Sequence, residues 1–569
     1  MLGTDTLTSG MLLTASAAAA AFTNSTVTVI NNGEMTGGAA AYGDGAVLNM
    51  TVNGNWDTGT IAGTDAVMPA YAGNNGKLTV NVGETGRMTG NVWAETGGSV
   101  TMNVSGVWTG AVKAPVTPEK WSEWIEEING ETSAGDGESD ESAALTAAAV
   151  TLASIDTGSS SSASSGTVDV TLSGSSAVWN LTESTAVDSL SVGAGTVNFP
   201  LVTDASSFTG STLTVTGNYS GDGGTIVMNT VLEGDGSQTD KLVITGDTSG
   251  KTYIKVNNVG GHGQQTADGI RLIEVGGNSA GTFETAGTVR GGAYVYQLGK
   301  SGSDWYLTSL YSPEPDPIVT PDTPSDDIRL HRVRPEAASY ASNLYAANTL
   351  FAMKLSDRLG GSAYADALRD PVKNPRNVWL RTEGGHTRHE MTDSQTTTRG
   401  NWGLAQVGGD IASFAVSGTH RVHLGLMAGY AHESTKTGSS AVSYRSKGKV
   451  SGYSAGIYGT WVNSEPTGTG PYADTWVAYQ RFKNTVDSSD YEVEEMYHTK
   501  GFTASLEAGY TFALRDWEGP NGVSNAARLR LEGQVIRMGV SGGDHVERST
   551  GTLIQGTGSG NVRSRVGFT

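Results

Sequence analysis

The chain has 569 residues, with 79 glycines, no cysteine, 7% aromatic and 16% charged residues; twice the usual glycine and so few charges disfavour a helical enzyme and point to many short strands joined by turns. Without cysteine there are no disulfides, thiolate chemistry or cysteine-bound zinc, and a net charge of −21 argues against nucleic acid, whose binding must neutralise phosphates. Residues 1–320 carry 10 Lys+Arg against 32 Asp+Glu, and the remainder 26 against 25, so the two halves suit different surroundings.

No segment reads as a membrane helix. The small-apolar run from Met11 to Phe22 holds Thr14 and Ser16 and falls short of the roughly 18 apolar residues a span requires. Met1 to Asp5 lacks the positive start of a signal peptide. From residue 33 a unit recurs: a glycine, then alternating apolar and polar residues, as in Gly45–Met50, Gly76–Val82 and Gly98–Val104. Each is followed by a shorter piece, Gly54–Gly59, Gly86–Gly90 and Gly106–Gly110, and the theme returns at Gly166–Leu172, Trp179 and Gly195–Phe199. Units roughly 20–30 residues apart fit solenoid rungs. Alternation puts Val, Leu and Met on one face, which only stacking can bury. The reading is a parallel β-helix over 1–222.

Residues 113–165 interrupt the repeat. Thr117-Pro118 followed by Trp121, Trp124, Ile125 and Ile128 predicts a short amphipathic helix that Gly130 ends. An acidic stretch, Asp136–Glu141, and a serine-rich stretch follow. This polar insertion reads as a solvated loop. Its carboxylates lack the turn glycine and terminal Glu spacing of a calcium loop.

Residues 223–311 continue the β pattern with strands near Lys241–Thr245, Ile270–Val275 and Ala293–Tyr296. A Pro/Asp linker at 312–333 marks a boundary. The one long helix then spans 335–359 within a segment 334–361, from Pro335 to the stop at Gly360-Gly361. About 25 residues give roughly 38 Å, enough to cross a bilayer. Glu336, Asn343, Asn348, Lys354, Asp357 and Arg358 exclude lipid contact, and Ala337, Ala338, Ala341, Ser342, Ala346 and Ala347 keep the helix thin, as a pore would require.

Beyond 375 the chain alternates in segments of about ten residues, apolar outside and polar inside, the mark of an outer-membrane barrel. Phe502, Leu506, Tyr510 and Phe512 face one side; Thr503, Ser505, Glu507 and Thr511 face the other. About eight strands are expected, near 377–388, 400–414, 420–434, 449–464, 471–486, 499–514, 526–540 and 560–569. Glu507, Arg528 and Arg530 are candidate lumen partners for Lys354, Asp357 and Arg358.

At these residues the chain resembles the autotransporters (type V secretion proteins) of the self-associating adhesin type. The stretches that carry the resemblance are Gly223–Thr230, Ser237–Leu242, Val256–Gly261 and Asp304–Leu307 at an autochaperone junction, Arg334–Asn348 as a pore helix, and Val378–Arg381, Gln406–Asp410 and Gly452–Trp461 as translocator strands. The resemblance implies an all-β protein: a right-handed parallel β-helix passenger, a pore-spanning helix and an incomplete antiparallel barrel. The family's twelve strands and terminal aromatic residue imply a fragment that lacks its signal peptide and last strands. Some members of the family cleave their own pore helix at an Asn-Asn bond; here Asn343 and Asn348 are separated by four residues, so the resemblance implies no such site.

No catalytic, cofactor or metal residue is assigned. His262 is the single histidine in 1–320, in a Gly-rich turn, so a passenger serine has at most one histidine to act as its base. The expected function is export and surface anchoring of a passenger that acts in adhesion or self-association; the alternative is a passenger enzyme, a serine protease or esterase, whose catalytic part lies outside this chain. Expected partners are outer-membrane lipid, the barrel-assembly machinery by resemblance, and host or neighbouring-cell surface molecules or a second copy, with no cofactor and no nucleic acid.

Overall fold

A computed structural model of the chain describes residues 4–9, 13–60, 69–94, 97–112, 166–311, 330–359, 378–391, 394–463, 469–520, 522–556 and 560–568. The expected helix at 118–130, the insertion 113–165 and most of the linker at 312–333 lie outside them. The chain divides into two compact units: 1–291 with 296–330, and 292–295 with 331–569. No described helix is long and apolar enough to cross a membrane, which says nothing of a β-barrel.

The first unit is a stack of parallel rungs. One ladder pairs Thr26–Asn31, Val47–Val52, Lys77–Val82, Ser99–Val104, Thr167–Leu172 and Ser189–Val192 in succession. A second runs through Asn55–Asp57, Arg87–Thr89, Val107–Thr109, Val178–Asn180 and Thr196–Asn198. A third joins Thr185–Val187, Thr212–Val215, Lys241–Ile244 and Ile270–Val275. Alternation works as expected: in Lys77–Val82, Leu78, Val80 and Val82 are buried while Lys77, Thr79 and Asn81 point out.

The rungs align like on like inside. Trp56, Met88, Trp108, Trp179 and Val197 form one column. Trp108 and Trp179 stack with centroids 4.6 Å apart and planes 6° apart. Each buried indole N–H still needs an acceptor, and finds a glycine carbonyl: Trp56 donates to Gly37, Trp108 to Gly90 and Trp179 to Gly110, at 2.8–3.0 Å. At the turns the rungs touch backbone to backbone. A Cβ on Gly106 would stand 2.2 Å from the Gly83 carbonyl, which explains the recurring glycine there. At the C-terminal end the chain turns antiparallel: Asp304–Thr308 pairs with Ile270–Val275 and with residues 297–301.

The second unit is one antiparallel sheet around a helix. Its strands are β1 Val378–Met391, β2 Thr396–Ser417, β3 His420–Ser439, β4 Ser446–Asn463, β5 Gly470–Ser488, β6 Glu495–Glu518, β7 Ser524–Met538 and β8 Asn561–Phe568. They pair in chain order, β1 to β8. Strands β2–β6 have 18 to 24 residues, longer than expected and about twice the 9–11 that cross a membrane. Among the described residues one rim carries the tight turn at 418–419 and the other carries the connections at 440–445, 489–494 and 539–556. Short turns mark the periplasmic rim and longer loops the extracellular one.

The expectation of one continuous helix over 335–359 is corrected. Helix α1 spans Pro335–Thr349 and α2 spans Leu355–Leu359. Between them the carbonyls leave the helical ladder for barrel side chains. Met353 O accepts from Trp476 Nε1 at 3.3 Å and from Gln534 Nε2 at 2.7 Å, and Ala352 O accepts from Arg381. Asp357 then caps the Lys354 N–H at 2.8 Å and restarts the helix.

Candidate functional site: the lumen helix and the lipid-facing wall

Helix α1 begins with Pro at its first position and an acid, Glu336, in its first turn, both favourable there. Its alanines, serines and asparagines let the sheet come close. Ala346, Ala347, Leu350 and Phe351 pack against Leu404, Ala431, Val450, Phe482 and Val540. Ala352 and Met353 pack against Trp379, Met427, Tyr458, Trp476 and Ile536.

Polar side chains hold the helix along its length. At the extracellular rim Arg334 donates twice to Glu547, at 2.7 and 2.9 Å, with both side chains buried. Ser339 meets Thr437 and Ser446. Asn343 Nδ2 donates to Thr485 O at 3.0 Å, and Asn348 both donates to and accepts from the Val540 backbone. Gly448 makes the Asn343 approach feasible, because a Cβ there would stand 2.5 Å from Asn343 Oδ1. At the periplasmic end Lys354 pairs with Glu532 at 2.9 Å, Leu355 N–H donates to Glu507 at 3.1 Å, and Arg358 pairs with buried Asp474. The guanidinium of Arg358 also lies 4.0 Å over the Tyr458 ring. A cavity of about 410 Å³ runs along the other side of α1, past Tyr340, Ala341, Leu344 and Tyr345.

Of the candidate partners, Glu507 does meet the helix. Arg528 does not: it pairs with Asp516 near the periplasmic rim. Arg530 sits 5.4 Å over Tyr472. Asp474, Glu532, Arg381 and Glu547 were missed. Asp474 and Glu532 occupy inward parity on β5 and β7, the signal that identified Glu507. The pattern of apolar residues outside and polar inside also needs one correction. Trp379, Tyr458, Trp476 and Phe482 point inward, because the helix gives the lumen an apolar partner.

The outer wall is apolar. Leu424, Leu426, Tyr430, Tyr453, Ile457, Phe502, Leu506, Tyr510 and Val535 are exposed, while Thr503, Ser505 and Glu507 are buried inside. Between its first and last strands the sheet pairs its backbone groups internally, as lipid demands, and presents an apolar exterior.

An Autotransporter beta-domain family model matches residues 378–569, and an Autochaperone Domain Type 1 model matches 185–298. Uncharacterized protein YdeU of Escherichia coli (strain K12) is 45% identical over 331 residues, which cover 56% of this chain and 69% of that protein. The chain belongs to the autotransporter family. The Autotransporter adhesin AIDA-I of Escherichia coli is 36% identical over 55% of the chain and 23% of its own length. The crystal structure of the AIDA-I transport unit shares 33% identity over 42% of this chain and 72% of that one, with a TM-score of 0.37. This autotransporter is thus an outer-membrane protein of adhesin type, with its passenger exposed at the cell surface. The autochaperone match begins at 185, ahead of the expected 223.

Proposed function

We propose that the second unit exports and anchors the passenger and that the passenger, 1–222 with the insertion 113–165, acts by adhesion or self-association rather than catalysis. In this reading residues 223–311 nucleate the β-helix, 312–333 link it, and 334–361 occupy the pore. The observation that carries it is the outward ladder of the passenger. Thr28, Asn49, Thr79, Thr101, Asp169 and Ser189 fall in one register column, and Thr51, Asn81, Asn103, Thr171 and Ser191 in the next. Neighbours bond within the column, as Asn103 Nδ2 does to Asn81 Oδ1 at 2.9 Å. Repeated polar groups on a rigid face suit many weak contacts, whose strength multiplies when many copies are displayed.

The test is surface display of the full chain in a bacterial host that does not clump. Cell settling and attachment to epithelial cells should rise, and Thr79→Lys/Thr101→Lys should abolish the rise while leaving display unchanged. Turnover of ester or peptide substrates by displayed cells, with no gain in settling or attachment, would favour the enzymatic alternative.

A further inference from the structure

Above the apolar wall, the outer face of the extracellular half of the sheet is cationic in a regular way. Arg388 on β1 lies opposite Arg399 on β2, Arg399 opposite Lys436 on β3, and Lys436 opposite Lys447 on β4. Four strands therefore present four cations side by side. All four point outward and are exposed, while the residues beside them in sequence, such as Thr398, Thr435 and Thr437, are buried inside. At about 4.8 Å between strands the row is about 15 Å long. Nearer the lipid lie Lys449 on β4 and Lys483 on β5. Lower still, Arg481 is in register with both Tyr453 and Lys500.

Like charges directly opposite one another destabilise a sheet pair. The row has few counter-charges. Arg388 meets Glu390, Lys447 reaches Asp487 at 4.0 Å, and Lys449 reaches Glu494 at 3.6 Å. No ion pair to Arg399, Lys436, Arg481, Lys483 or Lys500 is found among the described residues. At the periplasmic rim, by contrast, Arg528 is matched by Asp516. Arg399 and Lys436, at the middle of the row, face each other with no carboxylate paired to either among the described residues.

Depth identifies the anion. Arg481 and Lys500 share the level of Tyr453, and Tyr430–Tyr453 and Tyr479–Phe502 make aromatic pairs there, with centroids 5.1 and 5.2 Å apart. Aromatic girdles sit at the membrane–water boundary. Lys436 is six residues beyond Tyr430 on the same strand, about 20 Å along it. The anion must therefore touch the hydrocarbon boundary and also rise well above it. A free phosphate meets neither condition, and a simple phospholipid headgroup meets only the first.

We propose that this face binds a phosphorylated glycolipid of the outer leaflet, with phosphates at the sugar–acyl boundary held by Arg481, Lys483 and Lys500 and phosphates on the outer sugars held by Arg388, Arg399, Lys436 and Lys447. Arginine grips phosphate through paired N–H donors and lysine as a point charge, so the row supplies both modes.

The test uses the full chain purified in a non-ionic detergent, with binding followed by microscale thermophoresis. The probes are a lipopolysaccharide with phosphorylated core sugars, the same lipid after removal of its phosphates, and inorganic phosphate. The phosphorylated lipid should bind saturably. Arg399→Ser/Lys436→Ser and, independently, Arg481→Ser/Lys483→Ser should each weaken it by about tenfold or more. Arg515→Ser, near the periplasmic rim, should leave it unchanged. Heat-dependent migration on gels checks that each variant retains its barrel; the two double variants lie on different strands, so either alone suffices. Equal binding of the dephosphorylated lipid, unchanged binding by a folded double variant, or displacement by inorganic phosphate at matched phosphate concentration would each overturn the assignment.

Discussion

Removing the side chain of Arg334, the residue that precedes α1, should loosen the extracellular end of the lumen more than any single truncation on α1 itself. Arg334 is 1% exposed and Glu547 fully buried, and two N–H donors of the guanidinium reach the two carboxylate oxygens at 2.7 and 2.9 Å. Hydrogen bonds to charged groups contribute about 1.5–3 kcal/mol each, so Arg334→Ala forfeits about 3–6 kcal/mol. Measured losses on breaking one side of a buried pair, about 3–5 kcal/mol, agree. Glu547 would keep the Thr550 hydroxyl but no cation to balance its charge. Arg334→Ala/Glu547→Ala removes the stranded charge as well and should cost less than the two single changes added together, by about 2 kcal/mol. Urea unfolding in lipid vesicles, read by tryptophan fluorescence, gives the energies, and protease cleavage within 547–556 reports release of the loop. Costs that add within about 0.5 kcal/mol, or a loop no more cleavable in Arg334→Ala, would refute the clamp.

Trp179→Ala should destabilise the passenger by about 3–5 kcal/mol, because Trp108 loses its stacking face and Gly110 its donor; a urea shift worth under about 1 kcal/mol would count against the tryptophan column. Ala347→Trp should cost about 1–3 kcal/mol through overpacking and slow passenger display, since Ala347 is fully buried; Ala341→Trp, beside the cavity, should be milder, and equal effects would refute the assignment of helix faces. Burial raises the Asp240 carboxyl above its ordinary value, outweighing the hydrogen bonds from Ser211 and Asn229 that lower it. The folded state therefore holds this proton more tightly than the unfolded chain, so its contribution favours folding in acid and is lost as pH rises from about 4 through the raised value. Asp240→Asn should remove that slope and cost about 1–3 kcal/mol at neutral pH, because an amide N–H turns toward donors; a wild-type pH profile of the urea midpoint in the variant would contradict this.

The β architecture was legible where one face is apolar, since period-two alternation has one cause in a solenoid and in a barrel wall. Strand lengths were not. The alternation of β3 was followed to residue 434, yet the strand runs to Ser439. Above the lipid both faces are polar, and Thr398 and Thr437 hold the inner face by hydroxyl contact rather than by apolar pattern. The helix break was hidden for a related reason. Leu350 to Lys354 contains neither Gly nor Pro; the break comes from Trp476, Gln534 and Arg381 taking its carbonyls, contacts that join residues more than 25 apart. Glu507 was legible from strand parity, whereas Glu547 lies in a loop whose return to the helix no local pattern announces.

The stacking of the passenger has a mechanical consequence. Its backbone hydrogen bonds run rung to rung, along the axis of the stack, as Lys77 N–H to Ala46 O and Ser99 N–H to Gly76 O do. A tether pulled along that axis loads these bonds in tension, a few at a time, rather than shearing a whole strand at once. Failure should begin at the terminal rung and proceed by single rungs, mostly 21–30 residues long and releasing about 7–10 nm of chain. Such a rod lengthens in small steps under load, sheds force at each one, and can re-form a rung on the one beneath when the pull relaxes.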